Sequence, residues 1–178
     1  GNLVITLKPK DGMPAEALAT GLVDRDLGTF TIPAVPAAPY TLQVSTPLPR
    51  DAYLSDVRQG SRSVFDNGFI VGSEKPASLE LRVNFPGGMV EGIVQSFGQR
   101  PFPGATVVLV PQESRRQNPV LYKRAATDKD GRFAIRAIAP GDYKLFAWES
   151  VIEGAWENAA FIKRYEELGQ FVNVPAGT

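Results

Sequence analysis

The chain has 178 residues, and its 19 Lys plus Arg offset its 19 Asp plus Glu, so no net field draws it to nucleic acid or an acidic membrane. It contains no Cys and no His, which excludes thiol nucleophiles, His-based triads and the ordinary zinc sites. No apolar run reaches the roughly 20 residues of a membrane-spanning helix, and no signal-peptide pattern is visible.

Taken in order, Leu3-Val4-Ile5-Thr6-Leu7 reads as a strand, closed by Pro9 and a Lys10-Asp11-Gly12 turn. Residues 13–20 have helical propensity but are too few to stand alone as a helix, which leaves a loop or a brief strand. Strands at 29–32 and 40–44 follow, joined by a segment with Pro33, Pro36 and Pro39. Those prolines cannot donate to a ladder, so the connection is expected outside the sheet. Short strands are expected at 53–57 and 69–71, about an Asp66-Asn67-Gly68 turn. Leu79, Leu81, Val83 and Phe85 alternate with Glu80, Arg82 and Asn84, which predicts a strand closing a first domain. Pro86-Gly87-Gly88 is then a linker, too short for free tumbling.

The second half opens with a strand at 90–95, a turn at Phe97-Gly98-Gln99 and a strand at 105–110. A polar surface loop at 114–119 carries Arg115 and Arg116, and another strand is expected at 121–126. Asp128-Lys129-Asp130-Gly131 has the chemistry of a tight turn: short acids cap their own backbone and Gly131 supplies a positive φ. Phe133 and Ile135 then face inward while Arg132, Ala134 and Arg136 face outward. A second turn at Ala139-Pro140-Gly141-Asp142 returns the chain, and Tyr143, Leu145 and Ala147 resume the inward face. One helix is expected at 158–168, with Asn158 as N-cap, a stripe of Phe161, Tyr165 and Leu168, and Gly169 at C′. A strand at 171–174 is stopped by Pro175.

The two halves repeat one another. Gly28-Thr29-Phe30-Thr31-Ile32 aligns with Gly131-Arg132-Phe133-Ala134-Ile135, and Tyr40-Thr41-Leu42 with Tyr143-Lys144-Leu145, at one constant offset. Leu7-Lys8-Pro9 aligns with Leu109-Val110-Pro111 after a one-residue slip. The register predicts an internal duplication, with Phe30 and Phe133 as equivalent buried residues. The first copy lacks an opening strand and the second a closing one, so each should present an unpaired edge.

The run Gly92-Ile93-Val94, Pro103-Gly104-Ala105-Thr106-Val107, Thr127-Asp128 with Gly131-x-Phe133, and Pro140-Gly141-x-Tyr143-x-Leu145 resembles the carboxypeptidase regulatory-like domain. The likeness covers residues 87–149 well and 3–45 more loosely. It implies an all-β chain: two tandem transthyretin-like (prealbumin-like, Ig-like) antiparallel β-sandwiches, residues 1–85 and 86–178, with one short helix at 158–168. The family is related to the B-type repeats of bacterial collagen adhesins. The resemblance therefore implies the cell surface, periplasm or extracellular space of a bacterium, and no cofactor.

Four features carry chemistry in principle. Asp128 and Asp130 offer two carboxylates to calcium, which wants six to eight oxygens; turn chemistry is the simpler reading. Phe146 and Trp148, opposite the Tyr143–Leu145 face, could with Trp156 stack on a ligand such as a sugar, unless the helix covers them. Glu149, Glu153, Glu157, Glu166 and Glu167 supply paired carboxylates without an evident cleft, and Glu166-Glu167 read as solvated. Lys8 and Asn173 are a strand Lys and a strand Asn, as in the isopeptide bonds of the adhesin relatives, but fall in different domains.

The expectation is a non-enzymatic structural or interaction segment whose partners are neighbouring domains or subunits, with head-to-tail self-association through open strand edges. A carbohydrate-binding module for polysaccharide is the alternative. A third reading is the accessory domain of a hydrolase; the zinc-binding His residues of a peptidase are absent.

Overall fold

A computed structural model describes residues 3–10, 19–24, 26–44, 48, 51–74 and 77–176. The expected turn at 11–12 and most of 13–20 lie outside the described residues. The chain is all-β and divides into two compact units, residues 1–84 with 117–120, and residues 85–116 with 121–178.

In the first unit, β1 (Val4–Pro9), β2 (Ala19–Asp24), β3 (Thr29–Phe30), β4 (Ala38–Val44) and β7 (Phe69–Val71) form a sheet in the order β3-β2-β1-β4-β7. Between β4 and β7 the chain makes β5 (Tyr53–Gln59) and β6 (Arg62–Ser63), which join β8 (Glu80–Asn84) as a second sheet, order β6-β5-β8. Ile5, Thr6 and Leu7 are all buried, as befits a strand covered on both faces. Leu7 lies opposite Leu42 and Pro9 opposite Tyr40, while Tyr40 faces Phe69 and Ala38 faces Val71 across the next pair. Tyr40 is fully buried, and its hydroxyl donates to the Pro36 carbonyl at 3.1 Å, so the buried oxygen is satisfied.

Several expectations for this half change. Pro39, expected outside the sheet with Pro33 and Pro36, lies within β4 opposite Ile70, where β7 is the outer strand. The strand expected at 29–32 stops at Phe30, because Pro33 has no N–H for a ladder and among the described residues no strand flanks β3 beyond β2. Phe30 is consequently half-buried rather than core. In the closing strand only Leu79 and Leu81 are half-buried, while Val83 and Phe85 are exposed, so its alternation does not seal the unit. The strand Ala19–Asp24 went unread past residue 20. Its composition is weak, and Gly21 serves close packing: a Cβ there would sit 2.7 Å from Ile32 Cγ1.

In the second unit, β10 (Thr106–Pro111), β11 (Lys123–Ala126), β13 (Gly141–Trp148) and β14 (Gln170–Val174) form a sheet in the order β11-β10-β13-β14. A two-stranded sheet pairs β9 (Gly88–Ile93) with β12 (Arg132–Ile138). Leu109 lies opposite Leu145 and Pro111 opposite Tyr143, then Tyr143 faces Val172 and Gly141 faces Val174. Tyr143 is 2% exposed, and its hydroxyl donates to the Ala139 carbonyl at 2.8 Å. Phe133 pairs with Gly92, and its ring crosses the glycine so closely that a Cβ there would lie 2.7 Å from Cε1. That contact explains the glycine of the G-x-V run at Gly92, inside β9. Thr127 pins the preceding loop: its hydroxyl donates to the Phe102 carbonyl (2.7 Å) and accepts from the Ala105 amide (2.8 Å).

Backbone details recur in both units. Asp24 accepts from the amides of Asp26 and Leu27, and Asp128 from those of Asp130 and Arg132. Ala34 and Ala137 both adopt φ 55°, a conformation that L residues resist and that here marks the bend before each buried tyrosine. Between β13 and β14 the second unit places a helical segment where the first has β5 and β6. A closing strand like β8, which pairs with β5, therefore has no counterpart to pair with there.

The polar loop at 114–119 is not wholly surface. Asn118 is 1% exposed; its amide donates to Asp66 Oδ1 (3.3 Å) and its Oδ1 accepts from the Val120 amide (3.1 Å). Polarity signalled exposure there, but a buried amide with satisfied hydrogen bonds is equally polar in sequence.

Candidate functional site

The outer face of the β11-β10-β13-β14 sheet is built by Val108 and Val110 from β10 and by Phe146 and Trp148 from β13, with Val108 opposite Phe146 in register. Against it lies the segment between β13 and β14: a 3-10 turn at Ala155–Glu157, α1 (Ala159–Lys163) and a second 3-10 turn at Glu166–Leu168. Trp156 (4% exposed) and Ile162 (1%) bury with Phe146 (5%), while Phe161 and Tyr165 pack around Trp148. Trp148 stacks on Phe146, with centroids 5.4 Å apart and planes 12° apart, and meets Tyr165 edge-on at 5.6 Å. Phe146 and Trp156 thus have no free ring face, and Trp148 is the half-buried member of the three.

The cover departs from the expected helix in instructive ways. Asn158 caps as expected, its Oδ1 accepting from the Phe161 amide at 3.0 Å. The α-helix then lasts only five residues, and Tyr165, with ψ near 0°, breaks it before the second 3-10 turn. Ile162, absent from the expected stripe, is its most buried residue, whereas Leu168 is 78% exposed. Gly169 has φ −72°, so it is not a left-handed C′ residue. Its role is close approach: a Cβ there would lie 2.5 Å from Phe146 Cζ.

Charge fastens the cover at one end. Glu166 Oε1 lies 3.0 Å from Arg116 Nη2 and 2.8 Å from Lys144 Nζ, and Lys144 also donates to the Glu166 carbonyl (2.9 Å). Arg116 is itself held by donation to the Pro111 carbonyl (3.1 Å). Glu166 is therefore an ion-pair centre rather than a solvated carboxylate, and the bonds from Arg116 and Lys144 hold its pKa below the ordinary carboxylate value. Nearby, the Tyr122 hydroxyl donates to the Arg116 carbonyl (2.9 Å), and burial pushes its pKa up to about 12. A depressed carboxylate pKa contributes stability above its unfolded pKa and loses it as pH falls through the folded one. On acidification below the normal carboxylate range, wild-type protein is expected to lose stability that Glu166→Gln never had. Parallel melting curves of the two proteins from pH 7 downward check this, and a constant gap would refute it.

Most of the other candidates are occupied by structural work. Asp128 Oδ1 accepts from the amides of Asp130 (2.9 Å) and Arg132 (2.8 Å), Gly131 has φ 71°, and Asp130 pairs with Lys129 (2.8 Å). Among the described residues, no group of three or more His, Cys, Asp or Glu could hold a metal ion. Glu153 pairs with exposed Arg124 at 3.2 Å, and Glu149, Glu157 and Glu167 are exposed. Asn173 donates to Asp142 Oδ1 at 2.7 Å. The Arg116–Lys144–Glu166 cluster and Ile162 escaped the sequence reading, since their partners lie far apart in the chain. Among the described residues no helix is long and apolar enough to cross a membrane.

No curated protein and no solved structure matches the chain. The stretch from β9 through β13 to the N-cap of α1 carries Gly92, Thr127, Gly131, Phe133 and Tyr143 in the contacts just described, and these residues, 89–158, match the family of the carboxypeptidase regulatory-like domain.

Proposed function

We propose that the chain comprises two tandem carboxypeptidase-regulatory-like units serving as a non-enzymatic structural or interaction segment of a bacterial envelope or secreted protein. The duplication is supported by the shared registers: Leu7–Leu42, Pro9–Tyr40 and Tyr40–Phe69 correspond pair by pair to Leu109–Leu145, Pro111–Tyr143 and Tyr143–Val172. The buried tyrosine bonded four residues back and the positive-φ alanine before it recur as well.

One observation carries the scaffold reading. The side chains with chemical potential are spent on the fold: Asp128 on a turn, Glu166 on two cations, and the aromatic face on its own cover. Strand addition remains part of the proposal in narrower form. Pro33 and Pro36 blunt the edge beside β3, whereas β14 ends its sheet with five residues that include neither proline nor charge. Light scattering over a concentration series tests it: growth abolished by Val172→Pro supports association through β14, and a monomer at high concentration overturns it. The polysaccharide reading rests on half-buried Trp148 alone. A glycan array showing binding that Trp148→Ala abolishes, in a variant that still folds, would replace the scaffold reading with it.

A further inference from the structure

The first unit holds a cleft of about 360 Å³ whose lining comes from β4, β7, the β5–β6 hairpin and Lys10. Its polar lining consists of two cations, Lys10 and Arg62, and two amides, Gln59 and Asn67; among the described residues no carboxylate lines it. Elsewhere in this unit arginines sit on acids, Arg58 3.5 Å from Asp56 and Arg82 2.7 Å from Glu80. Among the described residues Arg62 has no such partner. Lys10 Nζ donates to the Asn67 carbonyl (2.9 Å) and to Gln117 Oε1 (2.7 Å), both neutral acceptors, so among the described residues its charge is also unmatched. Gly68, at φ 74°, packs so closely on β4 that a Cβ there would collide with the Tyr40 carbonyl oxygen, which fixes the turn that carries Asn67 beside Lys10.

The rest of the lining decides what kind of anion fits. Pro39 and Ile70 are register partners on β4 and β7, both exposed, Ile70 at 72%. They offer an aliphatic floor. A sugar would want an exposed ring, and the cleft's aromatic residue, Phe69, is 5% exposed. β7 is moreover the outer strand of its sheet, paired with β4 on one side. An extended chain alternates its side chains, so residues two apart share one face and can meet a cation and an aliphatic floor together.

We propose that this cleft receives an extended acidic segment of a protein partner, its carboxylate taken by Lys10 and Arg62 and an aliphatic neighbour resting on Pro39 and Ile70. The proposal deepens the interaction-segment reading and rests on it. The probe is a blocked peptide of alternating Glu and Val, titrated into the isotope-labelled full chain at a concentration where light scattering reports monomer. Amide shifts are expected at Gln59, Arg62, Asn67 and Ile70. Affinity should fall about tenfold or more in Arg62→Ala, as for loss of a charge-assisted hydrogen bond, and again as salt rises. Among the described residues the Arg62 side chain has no ion-pair partner to lose, so the melting temperature of Arg62→Ala should match wild type. The same peptide with Gln for Glu should bind at least tenfold more weakly. Absent shifts, shifts confined to other surfaces, or equal affinity of Arg62→Ala would overturn the proposal, as would binding of an oligogalacturonate at the same amides when the peptide fails. Failure here with β14-dependent association intact would sink the cleft alone and leave the scaffold reading standing.

Discussion

Phe133→Ala is expected to lower the unfolding free energy by about 3–5 kcal/mol, the range for emptying a buried aromatic site. Phe133 is 9% exposed and shares β12 with Ile135 (3%) and Ile138 (0%). Its ring fills the space that Gly92 leaves on β9, so truncation opens a hole with no side chain opposite to fill it. The sheet beneath has only two strands, and backbone collapse into the hole would break the Phe133–Gly92 register. Phe30→Ala should cost clearly less, because Phe30 is half-buried and β3 pairs only with β2. Denaturant titrations of both variants decide. A loss below about 1 kcal/mol for Phe133→Ala would mean that the inward face of β12 is misassigned, and equal losses would mean that the two phenylalanines are equivalent after all.

Local chemistry made the second unit legible. The Asp128–Gly131 turn, the alternation of Phe133 and Ile135, the return through Pro140-Gly141 and the Asn158 cap each depend on residues within a few positions, and each stands as read. Wherever the decisive partner is distant, the sequence fell short. Gly169 looks like a cap residue, and Gly21 and Gly92 carry no local signal of their role inside strands, yet each accommodates a neighbour from another segment: Phe146, Ile32 and Phe133. Asn118 reads as surface and is buried by hydrogen bonds to Asp66 and Val120. Asp24 caps a turn as Asp128 does, through the amides of Asp26 and Leu27, but one extra residue before Gly28 hid the likeness. The spacing that Tyr40 and Leu42 share with Tyr143 and Leu145 was legible because cores tolerate little change in volume, so inward residues keep their positions. The site was less so. Whether an aromatic face is covered depends on where the segment that follows it folds, and helical periodicity alone assigned that segment's stripe to Leu168 instead of Ile162.

Trp156→Ala tests whether the cover is integral to the second unit, and the composition of the chain makes the test clean. There are two tryptophans, so the variant reports the fluorescence of Trp148 alone. Trp156 is 4% exposed and meets Val108, Val110, Phe146 and Ile162, which makes it the largest side chain in that cluster. Its removal is expected to cost about 3–5 kcal/mol. The segment it belongs to has little else to hold it: α1 is a single short turn of helix that no isolated peptide would sustain, so its structure depends on packing. The Glu166 ion pairs are partly exposed and too weak to substitute for a buried indole. Once the indole is gone, the Phe161 and Tyr165 contacts to Trp148, at 5.9 and 5.6 Å between centroids, should loosen. Trp148 emission is then expected to shift to the red and become open to quenching by iodide, while the β-sheet signal in circular dichroism persists. Unchanged Trp148 emission together with a stability loss under about 1 kcal/mol would show that the helical segment does not depend on Trp156. The same outcome in Ile162→Ala would remove the case that this face is closed by its own chain, and would reopen Phe146 and Trp148 as a surface for a ligand.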